Sequence, residues 1–272
     1  MSVLTRSRLL YIQNSIPLQQ RNNLQLSYIW YLSAAATLSI CNQPQDVKTV
    51  YKYALLQDMD KSLDDDFQIK HFTPLQQHMT RKFKEALLKS SCIGGLPKAI
   101  NSLHSVASAA ATKEQDVGEE EEEEEEEEKD KEEDKFRFRS ESPNFVRKSD
   151  YESESKEVIL KRGNEHFRRL YSKVSDKIIT KMNGTSPDLW YTVLSCCYGP
   201  ILSNEEVLND QESSIVVISS LIPQNVNPQL YGHLKGALNI DCDKNFINSV
   251  QNLSLEISEW CGIYLKEKSV RL

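Results

Sequence analysis

Leu24-Gln-Leu-Ser-Tyr-Ile-Trp-Tyr-Leu-Ser-Ala-Ala-Ala-Thr-Leu-Ser-Ile-Cys41 is the stretch whose environment decides the fold. No residue from Asn22 to Gln45 carries a charge, so the segment reads either as a membrane span or as a helix buried inside a protein. Spanning a bilayer needs about 20 predominantly apolar residues. Here Gln25, Ser27, Ser33, Thr37 and Ser39 break the run, and Pro44 stops it. A buried core helix is the reading that follows, with no membrane span.

Helical spacing continues outward. Val47, Val50, Tyr51, Ala54 and Leu55 repeat on one face. Thr73-Pro74 places a capping residue before a first-turn proline and opens a helix to about Ser91. Gly94-Gly95 ends it, and Pro97 opens the next, to about Ala110. Farther on, Ser155–Lys181 is amphipathic up to Asn183-Gly184. Ser203-Asn-Glu-Glu206 matches a capping box ahead of an apolar helix halted by Pro223. Pro228–Leu238 and Asp243–Leu265 complete an all-α reading, because strand-like alternation never lasts more than a few residues.

Charge is localised. The 272 residues sum to −7, but Glu119–Asp134 alone holds 14 acidic and two basic residues, a charge of −12. The rest carries about +5. Residues 112–150 are charged and nearly devoid of apolar side chains, which predicts a disordered linker, since they cannot offset the entropy of ordering. Phe136-Arg-Phe-Arg139 interleaves aromatics with arginines, but beside so much negative charge it reads as a partner for the glutamates or as a dock for the linker, and no nucleic acid is expected.

The linker separates two similar flanks. Each runs from an apolar helix through a short connection to a second helix, then to a long helix with a cysteine near its C-terminal glycine, Cys92 in one and Cys261 in the other. The order suggests an internal duplication: a first unit at 1–111, the linker at 112–150, a second unit at 151–265 and a tail at 266–272. Units that hide apolar faces only against their own kind predict tight packing between halves and a homo-oligomer.

Six cysteines include no C-x-x-C, and no His or Cys sits at zinc-ligand spacing from another. Buried free thiols are expected, and neither a metal nor a cofactor. The tail Val270-Arg271-Leu272 fits the peroxisomal pattern of a small residue, a basic residue and leucine at its last two positions, with Lys266 and Lys268 nearby. An import receptor is the partner that this address implies. The N-terminal arginines Arg6, Arg8 and Arg21, with no acidic residue before Asp46, leave a mitochondrial destination open, as well as the cytoplasm.

Tyr231-Gly-His-Leu-Lys-Gly-Ala-Leu-Asn239 resembles the H-x-x-x-A-L-N stretch of the carboxymuconolactone decarboxylase and alkylhydroperoxidase-D-like superfamily. Glu85–Asn101, a helix ending at Gly95-Leu-Pro97 and followed by an Asn-bearing helix, is similar to its other hallmark, and Arg162-Gly163 through Tyr171 resembles the segment preceding a unit. With its tail, the chain looks like fungal peroxisomal matrix proteins of that superfamily. The resemblance covers about 24–110 and 160–265 and implies a helical bundle that assembles as trimers or hexamers.

The superfamily's peroxidase branch works through C-x-x-C, one thiolate attacking peroxide and the other resolving it. The corresponding stretches here, Ser33–Cys41 and Ile218–Leu221, lack the pair, which disfavours thiol peroxidase activity. The decarboxylase branch is thought to use a histidine at the position of His233, whose imidazole could move a proton at the carbon losing carboxylate. The same residue borders Leu230, Leu234, Ala237 and Leu238, so a merely structural histidine is the competing reading. The first unit offers Tyr51 and Tyr53 there and no histidine. His71 and His78 read as surface residues, and His104 and His166 as helix residues with ordinary neighbours. A lyase on a small organic acid or lactone, or else a non-catalytic helical oligomer with a scaffolding or binding role, is the functional expectation.

Overall fold

A computed structural model of the chain describes residues 2–15, 29–110, 142 and 145–272. Helices dominate these residues. They contain no strand, only an isolated bridge between Ile69 and Ala110. The acidic run, Phe136–Arg139 and the first residues of the decisive stretch lie outside the described residues.

Helix α1 (Arg6–Asn14) precedes α2 (Ile29–Ile40), in which all 12 residues are buried. A helix that is apolar on every side has to be enclosed on every side. Around α2 pack α3 (Pro44–Leu56), α5 (Pro74–Gly94), α11 (Asp210–Leu221) and α13 (Lys244–Trp260). Ser33, Thr37 and Ser39, which interrupted the apolar run, find hydroxyl partners on other helices. Ser33 Oγ lies 2.8 Å from Ser219 Oγ, Thr37 Oγ1 donates to Ser254 Oγ at 3.1 Å, and Ser102 Oγ donates to Ser39 Oγ at 2.9 Å. Each buried hydroxyl left unpaired would cost about 1–3 kcal/mol. Apolar residues from Leu4 to Ala109 and from Phe167 to Ile257 form one continuous core across the two flanks.

The remaining elements are α4 (Met59–Leu63), α6 (Leu96–Ala107), α7 (Lys148–Glu152), α8 (Lys156–Tyr171), α9 (Ser175–Thr185), α10 (Pro187–Thr192), a π-helix (Val193–Leu202) and α12 (Asn227–Asn239). Thr73 caps α5 as expected, through a reciprocal capping box with Gln76. Gly95 ends that helix at φ +89°, a conformation that costs glycine little. Three expectations need correction. The helix expected over Ser155–Lys181 is two helices, broken where Ser172 adopts φ +48°. The capping box of the second apolar helix is Asn209 with Glu212, not Ser203 with Glu206. The last helix stops at Trp260, where Gly262 takes φ +73°.

Helix α8 and the π-helix meet backbone to backbone. A methyl group on Gly163 would come within 2.5 Å of the Gly199 nitrogen, so only glycine permits this approach. Arg162 locks the contact, gripping Asp150 through two bonds of 2.7 Å while donating to Gly199 O at 2.9 Å and Ser203 Oγ at 3.0 Å. The packing of α8 against both the π-helix and α12 creates the site.

Candidate functional site

His233 sits on α12 with its ring turned inward, 6% exposed. Its Nε2 is 3.1 Å from Tyr171 Oη on α8, which is 3.3 Å from Tyr198 Oη on the π-helix. Its Nδ1 is buried and has no hydrogen-bond partner among the described residues. Burial, reinforced by the neighbouring His166, lowers the His233 pKa to about 4, so the imidazole is neutral near pH 7. Burial also raises both tyrosine pKa values, so the hydroxyls keep their protons.

His166, on α8, is 3% exposed and holds its Nδ1 3.0 Å from Asp210 Oδ1. Asp210 opens α11, where an acidic side chain also suits the helix dipole. Arg169 reaches both Asp210 Oδ2 and Glu205 Oε1 at 2.7 Å. Burial pushes the Asp210 pKa up, but His166 and Arg169 outweigh it and hold the carboxyl below its usual value. Between the histidines is a cavity of about 10 Å³, lined by His166, His233, Asp210, Ser213, Ser214 and aliphatic neighbours. That is room for roughly one water. Ser214 Oγ, facing the same region, is also buried without a hydrogen-bond partner among the described residues.

Sequence reading singled out His233 and missed the company it keeps. His166 reads from sequence as a helix residue with ordinary neighbours, whereas its Nδ1 faces a carboxylate 44 positions away. Ligand atoms of His166, Glu205 and Asp210 lie within 4.8 Å of one another, an arrangement that could hold a metal ion. Arg169 already supplies positive charge to both of those carboxylates. His71, His78 and His104 are exposed, and in the first flank Tyr51 Oη pairs with Thr80 Oγ1 at 2.9 Å.

The tail docks on the body. Asn225 exchanges two hydrogen bonds with the backbone of Glu267, at 3.0 and 2.9 Å. Asn227 donates to Lys268 O and accepts from Val270 N, and Gln251 donates to Val270 O at 2.8 Å. Val270 and Leu272 are half-buried against the core, while Arg271 is exposed and reaches Asn252. No helix among the described residues is long and apolar enough to cross a membrane.

The geometry defines a class: an all-helical protein with a buried histidine–tyrosine site beside a carboxylate-paired second histidine. The chain is 34% identical to Peroxisomal protein 2 of Saccharomyces cerevisiae over 98% of this chain and 100% of that one. It is 31% identical to Peroxisomal protein 2 of Schizosaccharomyces pombe over 92% and 94% of the two chains. It belongs to the Peroxisomal protein 2 family. No family model and no solved structure matches it, so the likeness to the decarboxylase superfamily rests on the motifs quoted above.

Proposed function

We propose that this is a peroxisomal matrix protein whose His233 site performs proton transfer on a small organic acid or lactone, as a decarboxylase-like lyase. The names of the two relatives support the compartment. The chemistry is supported chiefly by one observation, the bare Nδ1 of a neutral buried His233, a residue that lines a small cavity together with a second histidine. A histidine kept only for packing would be expected to satisfy both ring nitrogens, because an orphaned buried polar atom costs about 1–3 kcal/mol. With Nε2 hydrogen-bonded to Tyr171, Nδ1 is the position left to exchange a proton with substrate. Arg169, half-exposed beside Asp210, is a cation suited to meet an incoming carboxylate. Substrate has to displace the covering side chains, since the cavity holds about one water.

That small volume also favours a second reading, a helical homo-oligomer that binds or scaffolds and does not catalyse. Incubating the protein with small carboxylic acids and lactones, with carbon dioxide release and lactone loss as readouts, separates the two. Turnover that disappears in His233→Gln, while melting temperature and assembly state persist, is the outcome expected of the enzyme. Turnover unchanged by that substitution, or absent throughout, removes the catalytic role.

For delivery we propose Val270-Arg271-Leu272 as the segment read by the import receptor. Deleting these three residues from an N-terminally tagged protein should turn punctate signal diffuse. Unchanged puncta would transfer the address elsewhere, with the arginine-bearing N-terminus the next suspect.

A further inference from the structure

His166, Glu205 and Asp210 converge from three elements: α8, the loop after the π-helix, and the start of α11. Spacing along the chain excluded only metal sites built from neighbouring His and Cys, and this set is of another kind. It joins a buried imidazole to two carboxylates, with one ligand atom from each residue within 4.8 Å of the others. His166 Nδ1 and Asp210 Oδ1 are 3.0 Å apart. Yet Asp210 Oδ1 is buried and accepts no hydrogen bond among the described residues, so the approach has the length of a hydrogen bond without its alignment. Neighbouring ligands of a shared ion stand in this way. Two atoms about 2.0–2.1 Å from a tetrahedral zinc lie roughly 3.3 Å from each other.

The cluster is already arranged about a cation. Arg169 Nη2 lies 2.7 Å from Asp210 Oδ2, 2.7 Å from Glu205 Oε1 and 3.5 Å from His166 Nδ1. The Arg169 side chain is half-exposed, so it can turn to solvent and leave the three acceptors in place. Beside them, His166 and Asp210 line the cavity that His233 and Ser214 also line. His233 and Ser214 are 6% and 4% exposed, and His233 Nδ1 and Ser214 Oγ have no hydrogen-bond partner among the described residues. Buried polar atoms are normally satisfied by protein or by ordered water. A zinc with three protein ligands keeps its fourth position open for a water, and the cavity has room for roughly one.

We infer that His166, Glu205 and Asp210 bind a zinc ion in place of the Arg169 guanidinium, with a water in the adjoining cavity as fourth ligand. The two carboxylates balance the two charges of the ion. The bound water gives the orphaned His233 Nδ1 and Ser214 Oγ their partner. An imidazole among the ligands selects zinc over magnesium or calcium, which take oxygen sets. The site is independent of whether His233 catalyses.

The test titrates chelator-treated full-length protein with zinc chloride by calorimetry. One ion per chain is expected, with a rise in melting temperature as zinc is added. His166→Gln and Glu205→Gln should each weaken binding by about tenfold or more, since even a group that only supports a ligand is worth that much. Far-ultraviolet circular dichroism checks that each variant folds. Arg169→Gln, at a half-exposed position, should bind zinc roughly fivefold more tightly than wild type, because two ion pairs no longer compete. Cobalt(II) in place of zinc should show no thiolate charge-transfer band. No binding by the wild type, binding that survives both ligand substitutions, a thiolate band, or an Arg169→Gln affinity no higher than wild type would each overturn the assignment. Surviving binding would belong to the free cysteines or to the acidic run.

Discussion

His233 illustrates how a single side chain can be costly and useful together. Its folded pKa of about 4 lies below the ordinary histidine value of 6.5, so between those pH values the unfolded chain binds a proton that the folded one refuses. Stability should therefore fall as pH drops from about 6.5 to 4, by up to about 3 kcal/mol from this residue. Chemical denaturation of wild type and His233→Gln at pH 7 and pH 4 checks this, since the glutamine protein should lose that much less on acidification. Equal losses would mean that His233 titrates normally in the fold. His233 was legible because it stands in a recognisable local motif. His166 was not, because its partner Asp210 reads locally as an ordinary first-turn helix acid. Through-space pairing of that kind leaves no spacing signature in one sequence.

At the scale of helices, what could be read was whatever the chain encodes locally. Thr73-Pro74, Gly94-Gly95 and the apolar runs predicted α5, α6 and α12 to within a few residues of the observed bounds, and α11 and α13 with the start of one and the end of the other misplaced. The π-helix escaped, because Gly199-Pro200 looks like a break. Its wider winding is stabilised by Arg147, Arg162 and Lys89 bonding to its backbone from other elements. The two capping boxes were degenerate as patterns, and only the start of α11 at Asp210 selects Asn209. The backbone contact of Gly163 with Gly199 gives this scale its own prediction. Gly163→Ala must force α8 off the π-helix and should cost about 2 kcal/mol or more, the range of overpacked cores. Urea denaturation measures it. A change under about 0.5 kcal/mol would show that the interface relaxes freely.

Considered whole, the molecule is more closely knit than two units on a string would be. The chain's excess of negative charge, −12, gathers in one segment, while α2 from before that segment shares a core with α11 and α13 from after it. Deleting 112–140 should thus move the melting temperature by no more than about 2 °C, whereas residues 1–111 expressed alone should be insoluble, with the apolar surface of α2 uncovered. Calorimetry and a solubility assay decide both, and a large loss from the deletion would give the acidic run a place in the fold. The enclosure of α2 also has a consequence in time. Some 170 residues must be synthesised between the end of this helix at Ile40 and the start of α11 at Asp210. At about 5–20 residues per second this takes roughly 10–30 s. For that interval the ribosome carries an emerged, uncharged helix that α3 and α5 can cover but whose faces toward α11 and α13 stay open. The nascent chain should be a strong client of ribosome-associated chaperones until α11 and α13 emerge.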